Sequence, residues 1–130
     1  MLDVREIEEL PQSLVDVAEV IGLAATLALV ESAGGVRVYV PERLGDEHRL
    51  IEWLGRDAAA ALSAAFAMEE LVVPRCADAL RRVRNRQIRH ERDQGDAPAV
   101  LALRYRLTER QIYTILSRDD AANSDQFSLL

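Results

Sequence analysis

The chain has 130 residues, of which 49% are apolar and 5% aromatic, and its formal net charge at pH 7 is −6. This length suits one compact domain, or two small ones sharing a core of mainly Ala, Leu, Val and Ile. No apolar run approaches the roughly 20 residues that cross a bilayer, and the single cysteine, Cys76, excludes an intrachain disulfide. We therefore predict a soluble cytoplasmic protein with no membrane partner.

The charge is unevenly distributed along the chain. Residues 1–74 carry 5 Arg and 14 acidic residues, whereas residues 75–118 carry 11 Arg and 5 acidic residues. Salt screens charges beyond about 8–10 Å, so a polyanion responds to the local field of residues 75–118 rather than to the total. The acidic net charge therefore does not exclude nucleic acid as a partner.

The first 41 residues predict a helix followed by a strand. Residues 1–12 are acidic and are expected to be loosely ordered. Ser13 is a candidate N-cap for a helix that reaches residue 33, with an interruption at Gly22. Gly34 and Gly35 end this helix, and the alternation over residues 36–40 predicts a short strand that Pro41 closes.

A shift of 33 residues superimposes this segment on the one that follows. Six positions are identical, pairing Gly22 with Gly55, Ala25 with Ala58, Ala28 with Ala61, Leu29 with Leu62, Val40 with Val73 and Pro41 with Pro74. Coincidence in an Ala-rich chain is the alternative to a true repeat. Since a lone strand leaves an unpaired edge, two copies favour joining their strands, either within one chain or across a dimer. The sequence leaves both pairings open.

Residues 75–94 predict one long basic helix with Leu80 and Ile88 on its apolar side. Gly95 and Asp96 end this helix, and Pro98 suits the first turn of the next one. The helix therefore connects the repeated region to a separate C-terminal segment.

Residues 98–118 fit a helix-turn-helix, in which two short helices cross over a small core. The positions that build this core hold Leu101, Ala102, Tyr105, Leu107, Ile112 and Ile115. Thr108 and Gln111 have the spacing of a capping box, which would start the second helix. Arg106 stands where such turns often have a glycine in the left-handed conformation. A helical hairpin inside a larger core is the alternative.

The second helix, residues 109–118, would present a polar flank opposite Ile112 and Ile115. Arg, Gln, Glu and Thr each match a different base edge, so we predict base contacts from Thr108, Glu109, Arg110, Gln111, Tyr113, Thr114 and Ser117. Phosphate contacts are predicted for arginines on the preceding helix and beside the turn, namely Arg81, Arg82, Arg86, Arg89, Arg104, Arg106 and Arg118. The alternative for the arginines of the preceding helix is a solvated face on which they pair with Glu91, Asp93 or the acidic N-terminal half.

Three stretches resemble the Mor/C family of phage transcription activators. They are residues 34–41, residues 84–88 with the following Gly95, and residues 101–116, and the ending 128–130 is similar as well. The resemblance implies activation of a phage or prophage promoter together with RNA polymerase. It also implies a homodimer held through the strand, which contains Val36, Val38, Tyr39 and Val40. The second helix–strand copy, residues 46–74, departs from the short form of the family and leaves the dimer geometry open.

No combination of residues predicts an enzyme. His48 and His90 have no Cys/His ligand spacing, Cys76 has no identifiable base partner, and the chain lacks a Gly-rich phosphate loop. We therefore predict no catalytic site, no metal and no cofactor. Cys76 is expected to be a packing residue.

The sequence thus predicts a mainly α protein with one or two short β-strands. An N-terminal helix–strand dimerisation region, residues 13–74, would contain the repeat; residues 75–118 would bind double-stranded DNA, and residues 119–130 would form a tail. The predicted function is a nucleoid-associated, dimeric transcription activator in a bacterial cytoplasm. The alternative is a protein-interaction module that keeps the helix-turn-helix shape but has little affinity for DNA.

Overall fold

The computed structural model describes residues 10–118. They form six helices and one two-stranded sheet, which confirms the mainly α fold class with short strands. The chain divides into two compact units, with the boundary between Leu80 and Arg81. The expectations for residues 1–9 and for the tail 119–130 lie outside the described residues.

The first unit begins with helix α1, Gln12–Ala33. The prediction of Ser13 as N-cap is wrong: Pro11 holds that position, and its carbonyl accepts the N–H groups of Leu14 and Val15 at 3.0 and 3.1 Å. Gly22 interrupts the helix as predicted, with φ 84° and ψ 166°. The hydroxyl of Thr26 donates to the Gly22 carbonyl at 2.7 Å, so the break leaves that carbonyl satisfied.

By length and composition alone, α1 could cross a membrane, with a mean hydropathy of 1.9 in its most apolar window. However, 56% of that window is buried inside the protein. Leu14, Val17 and Leu29 are among its buried side chains. The helix is therefore packed as a core helix.

The rest of the first unit repeats the order of helix and strand. Strand β1 is Arg37–Tyr39, helix α2 is Arg49–Leu54, helix α3 is Arg56–Phe66 and strand β2 is Glu70–Val72. Helices α1, α2 and α3 pack against one another around buried leucines and valines. The core of this unit is therefore aliphatic, as the composition predicts.

The two strands pair with each other, antiparallel, within the chain. The register places Arg37 opposite Val72, Val38 opposite Leu71, and Tyr39 opposite Glu70. Of the two pairings that the sequence left open, the structure thus shows the intrachain one.

Helix α4, Ala77–Asp93, runs from the end of the first unit into the second. It ends at Gly95, which has φ 110° and whose N–H donates to the Arg92 carbonyl at 3.0 Å. Helix α5 is Pro98–Tyr105, with the proline in its first turn as predicted, and helix α6 is Glu109–Ser117.

Candidate nucleic-acid interface

Helix α6 starts at a complete capping box. The Thr108 hydroxyl accepts the backbone N–H of Gln111 at 3.1 Å, and the Gln111 side-chain oxygen accepts the backbone N–H of Thr108 at 2.8 Å. Two of the N–H groups that have no partner within the helix are therefore satisfied. The local sequence alone places the start of α6, and this prediction is confirmed.

The turn between α5 and α6 holds Arg106 in the left-handed conformation, with φ 59° and ψ 43°. The backbone N–H groups of Arg106 and Leu107 both donate to the Ala102 carbonyl, which closes the C-terminus of α5. Leu107 then packs against the core of the second unit. Arg106 therefore has the left-handed conformation expected at this position, where glycine is more common.

A small apolar core fixes α6 against α4 and α5. Ile112 is 0% exposed and Ile115 is 9% exposed, and they pack in one cluster with Ile88, Leu101 and Tyr105. Leu116 is partly buried beside them. Because these residues lie on one side of α6, the opposite side of the helix faces outward.

All seven residues predicted to contact bases are exposed. They are Thr108, Glu109, Arg110, Gln111, Tyr113, Thr114 and Ser117. Two of their hydroxyls cap carbonyls of α6 itself, since Thr114 donates to Arg110 at 3.0 Å and Ser117 donates to Thr114 at 2.9 Å. The flank is therefore accessible and consists of polar groups on a fixed helix, while base contact remains a prediction.

Arg89 and Arg104, both predicted to contact phosphate, have structural roles within the second unit. The guanidinium of Arg89 donates to the Ile115 carbonyl at 3.1 Å and so ties α4 to α6. Arg104 forms ion pairs with Glu91 and, at 2.8 Å, with Asp96. The hydrogen bonds that Arg104 donates to Asp96 and Glu91 raise its pKa. The charge of Arg104 is thus partly offset by these two carboxylates.

Tyr105 belongs to the same cluster. Its hydroxyl donates to the Glu91 carboxylate at 2.7 Å, and its ring is 7% exposed. Burial, together with this hydrogen bond to a carboxylate, raises the pKa of Tyr105. The sequence identified Tyr105 only as an apolar contact. Its polar link from α5 to α4 was missed because residues 91 and 105 lie on different helices.

The remaining arginines predicted to contact phosphate lie on or near the surface. Arg82, Arg86, Arg106 and Arg118 are exposed, and Arg81 is half-buried. On α4, the first two lie on the side opposite the buried Val83, Gln87 and Ile88. Between residues 81 and 118 the chain carries 10 Arg and 4 acidic residues, so the second unit has a net positive charge. Phosphate contact by these side chains remains a prediction.

The residues predicted for dimerisation all lie in or beside β1. Val38 and Val40 are buried, whereas Val36 and Tyr39 are 53% and 50% exposed. All four belong to the segment that pairs with β2 of the same chain. Within residues 10–118, no group of three or more His, Cys, Asp or Glu side chains is placed to hold a metal ion.

Residues 42–128 match the profile of the Mor transcription activator family. The matched segment covers α2, α3, β2 and the whole of the described second unit. Comparisons with curated proteins and with solved structures gave no significant match.

Proposed function

The chain belongs to the Mor transcription activator family, and we propose that it is a sequence-specific DNA-binding regulator in which α6 enters a major groove. Membership of a family of transcription activators, which is not a class of enzymes, makes it a transcription regulator and a soluble cytoplasmic protein. DNA contact, the residues that make it and the partners of the chain belong to the proposal.

The observation that carries the proposal is the exposed polar flank of α6. An α-helix fits the major groove, where side chains distinguish all four base pairs by their donors, acceptors and methyl groups. The capping box and the buried Ile112 and Ile115 fix α6 on one side and leave the other free for a ligand. Arg110 would donate to guanine, and Gln111 and Thr114 lie beside it on the helix.

The positive charge of the second unit supports the same conclusion. Contacts to phosphate supply affinity and register but do not read sequence. Arg86, on the exposed side of α4, is suited to this role, as are Arg106 and Arg118 at the two ends of α6. Arg89 instead positions α6 through the Ile115 carbonyl.

The resemblance to the Mor/C family supports the remaining details. They are activation of a phage or prophage promoter, association with the nucleoid, and contact with RNA polymerase. The resemblance also implies a homodimer. Its expected interface, strand β1, is paired with β2 in the same chain, so such a dimer would need another surface.

Gel-shift titration with DNA fragments taken upstream of the chain's own gene tests the proposal. We expect binding whose logarithm falls linearly with the logarithm of salt concentration, with a slope of about 0.9 per phosphate contacted. Arg110→Ala should relax the preference at one or two base pairs and cost about 1–3 kcal/mol there. Arg86→Ala should weaken binding to all sequences alike, whereas Arg43→Ala, in the first unit, serves as the matched control and should change nothing.

An equal loss on all sequences for Arg110→Ala and Arg86→Ala would contradict these roles. Absence of salt-dependent binding to any fragment would favour the alternative, in which the chain regulates transcription through a protein partner. The acidic residues of the first 74 positions suit such a partner.

A further inference from the structure

The first unit consists of two copies of one backbone element. Gly22 breaks α1 with φ 84° and ψ 166°, and Gly55, 33 residues later, separates α2 from α3 with φ 87° and ψ 160°. The residues directly after α1 and α3 also share one backbone conformation. Gly34 has φ −56° and ψ 129°, and Ala67 has φ −51° and ψ 134°. The strands, beginning at residues 37 and 70, keep the same offset. The repeat therefore extends from sequence to conformation.

The pairing of the strands is symmetric under the exchange of the two copies. Val38 and Leu71, which are equivalent, lie opposite each other at the centre of the sheet. Four flanking backbone hydrogen bonds form two exchanged pairs: Gly35 to Val73 and Met68 to Val40, both 2.7 Å, and Val40 to Glu69 at 2.9 Å and Val73 to Val36 at 3.0 Å. An approximate two-fold axis therefore relates the two strands and the residues beside them inside one chain.

The charges on this sheet favour pairing between unlike copies. Arg37 and Glu70 occupy equivalent positions, and their side chains form an ion pair at 3.3 Å across the axis. Two β1 strands from different chains, paired in the same register, would make Arg37 a diagonal neighbour of Arg37, and two β2 strands would do the same for Glu70. Diagonal neighbours are within reach of long side chains, so these like charges would repel each other. The strand charges thus favour pairing of the first copy with the second over pairing of either copy with an identical copy.

We infer that the first copy, residues 12–41, is a built-in partner of the second copy, residues 46–74, and that the chain is a single-headed DNA binder, a monomer with one α6. The surface through which two identical helix–strand units would pair is occupied within each chain. Each chain then presents one α6 and recognises one asymmetric site in one major groove. The first copy also precedes the segment that the chain shares with its family. The DNA-binding part of this inference rests on the proposed function.

A disulfide between the strands tests the built-in partner without DNA. Tyr39 and Glu70 are directly opposite, and such pairs in antiparallel sheets lie about 4.5–5.5 Å apart between Cα atoms, which is within the range of a disulfide. We would introduce Tyr39→Cys and Glu70→Cys together in a Cys76→Ser background and oxidise the full chain. The control carries Tyr39→Cys alone in the same background, where only an interchain disulfide can form.

We expect the double variant to form its disulfide inside one chain, with the mobility of a monomer on a non-reducing gel. Light scattering of the unmodified chain should give 14.5 kDa. A covalent dimer of the double variant would mean that the strands pair between chains. A double variant whose thiols stay reduced under oxidising conditions would contradict the register, and a mass of twice 14.5 kDa for the unmodified chain would refute the single-headed binder. Any of these three results overturns the inference.

DNA carrying one or two inverted copies of the bound site tests the single head. We expect one chain per site and an apparent affinity that rises no more than about twofold, the statistical factor for two independent sites. Cooperative binding of two chains to the inverted pair alone would overturn the inference. If no fragment is bound at all, the proposed function and the single-headed binder both fail, while the disulfide and the mass still decide whether the first copy is a built-in partner.

Discussion

Replacing Arg106 with glycine should stabilise the protein and weaken its binding to DNA at the same time. Arg106 has φ 59° and ψ 43°, a conformation that costs a residue with a Cβ roughly 1–2 kcal/mol and costs glycine nothing. Glycine loses about 0.5–1 kcal/mol more conformational entropy on folding, so the net gain for Arg106→Gly is about 0.5–1 kcal/mol. The bonds to the Ala102 carbonyl come from the backbone and are retained.

Urea denaturation measures the gain, and Arg106→Ala is the control, because alanine keeps the Cβ and loses the guanidinium. We expect the free energy of unfolding to rise for Arg106→Gly and to stay within about 0.5 kcal/mol of the original for Arg106→Ala. Both variants lose one positive charge beside α6, so under the proposed function both should weaken DNA binding equally and reduce the salt slope by about 0.9.

Two results would refute this reasoning. Equal stability of Arg106→Gly and Arg106→Ala would show that the strain of the left-handed turn does not exceed the conformational entropy that glycine loses. Weaker DNA binding by one variant than by the other would show that the geometry of the turn, rather than its charge, controls the approach of α6.

Two further predictions concern the core of the second unit. Ile112→Ala should lower the free energy of unfolding by about 2–5 kcal/mol, because Ile112 is 0% exposed and the substitution leaves a cavity. Urea titration measures this loss. Val100→Ala, at a half-exposed position, is the control and should change the free energy of unfolding by less than about 0.5 kcal/mol. Tyr105→Phe should cost about 1–2 kcal/mol at neutral pH through the lost hydrogen bond to Glu91. The folded state raises the pKa of Tyr105, so its contribution is complete below about pH 10 and declines as the pH rises further. Urea midpoints from pH 8 to 11 should therefore fall less for Tyr105→Phe than for the original chain, and parallel curves would contradict this assignment.

Much of the second unit could be predicted because its signals are local. The spacing of Thr108 and Gln111 specifies a capping box whatever the rest of the chain does, and Gly95 with Pro98 marks the boundary between two helices. The periodicity that buries Ile112 and Ile115 follows from 3.6 residues per turn. These predictions needed no knowledge of which helices meet.

What the sequence could not decide depends on contacts between distant residues. Intrachain and interchain pairing of β1 and β2 satisfy the same backbone groups, so the pattern of residues 36–40 favours neither. Similarly, Arg104 has the same exposed position on α5 whether it meets a phosphate or Glu91 and Asp96. Only the geometry of the loop between α4 and α5 brings those two carboxylates to it.

The turn before each strand shows why the repeat is clearer in the backbone than in the residues. Gly35 and Met68 are equivalent, and both have positive φ, 91° and 66°. A Cβ on Gly35 would meet the guanidinium group of Arg75, which would have to move, whereas the Met68 side chain is 65% exposed. The same conformation therefore favours glycine in one copy and admits methionine in the other, since the neighbours differ. Two copies in one chain have different surroundings, so their residues need not be the same. The ion pair between Arg37 and Glu70 depends on such a difference, because a symmetric dimer of identical chains would place the same residue at both positions.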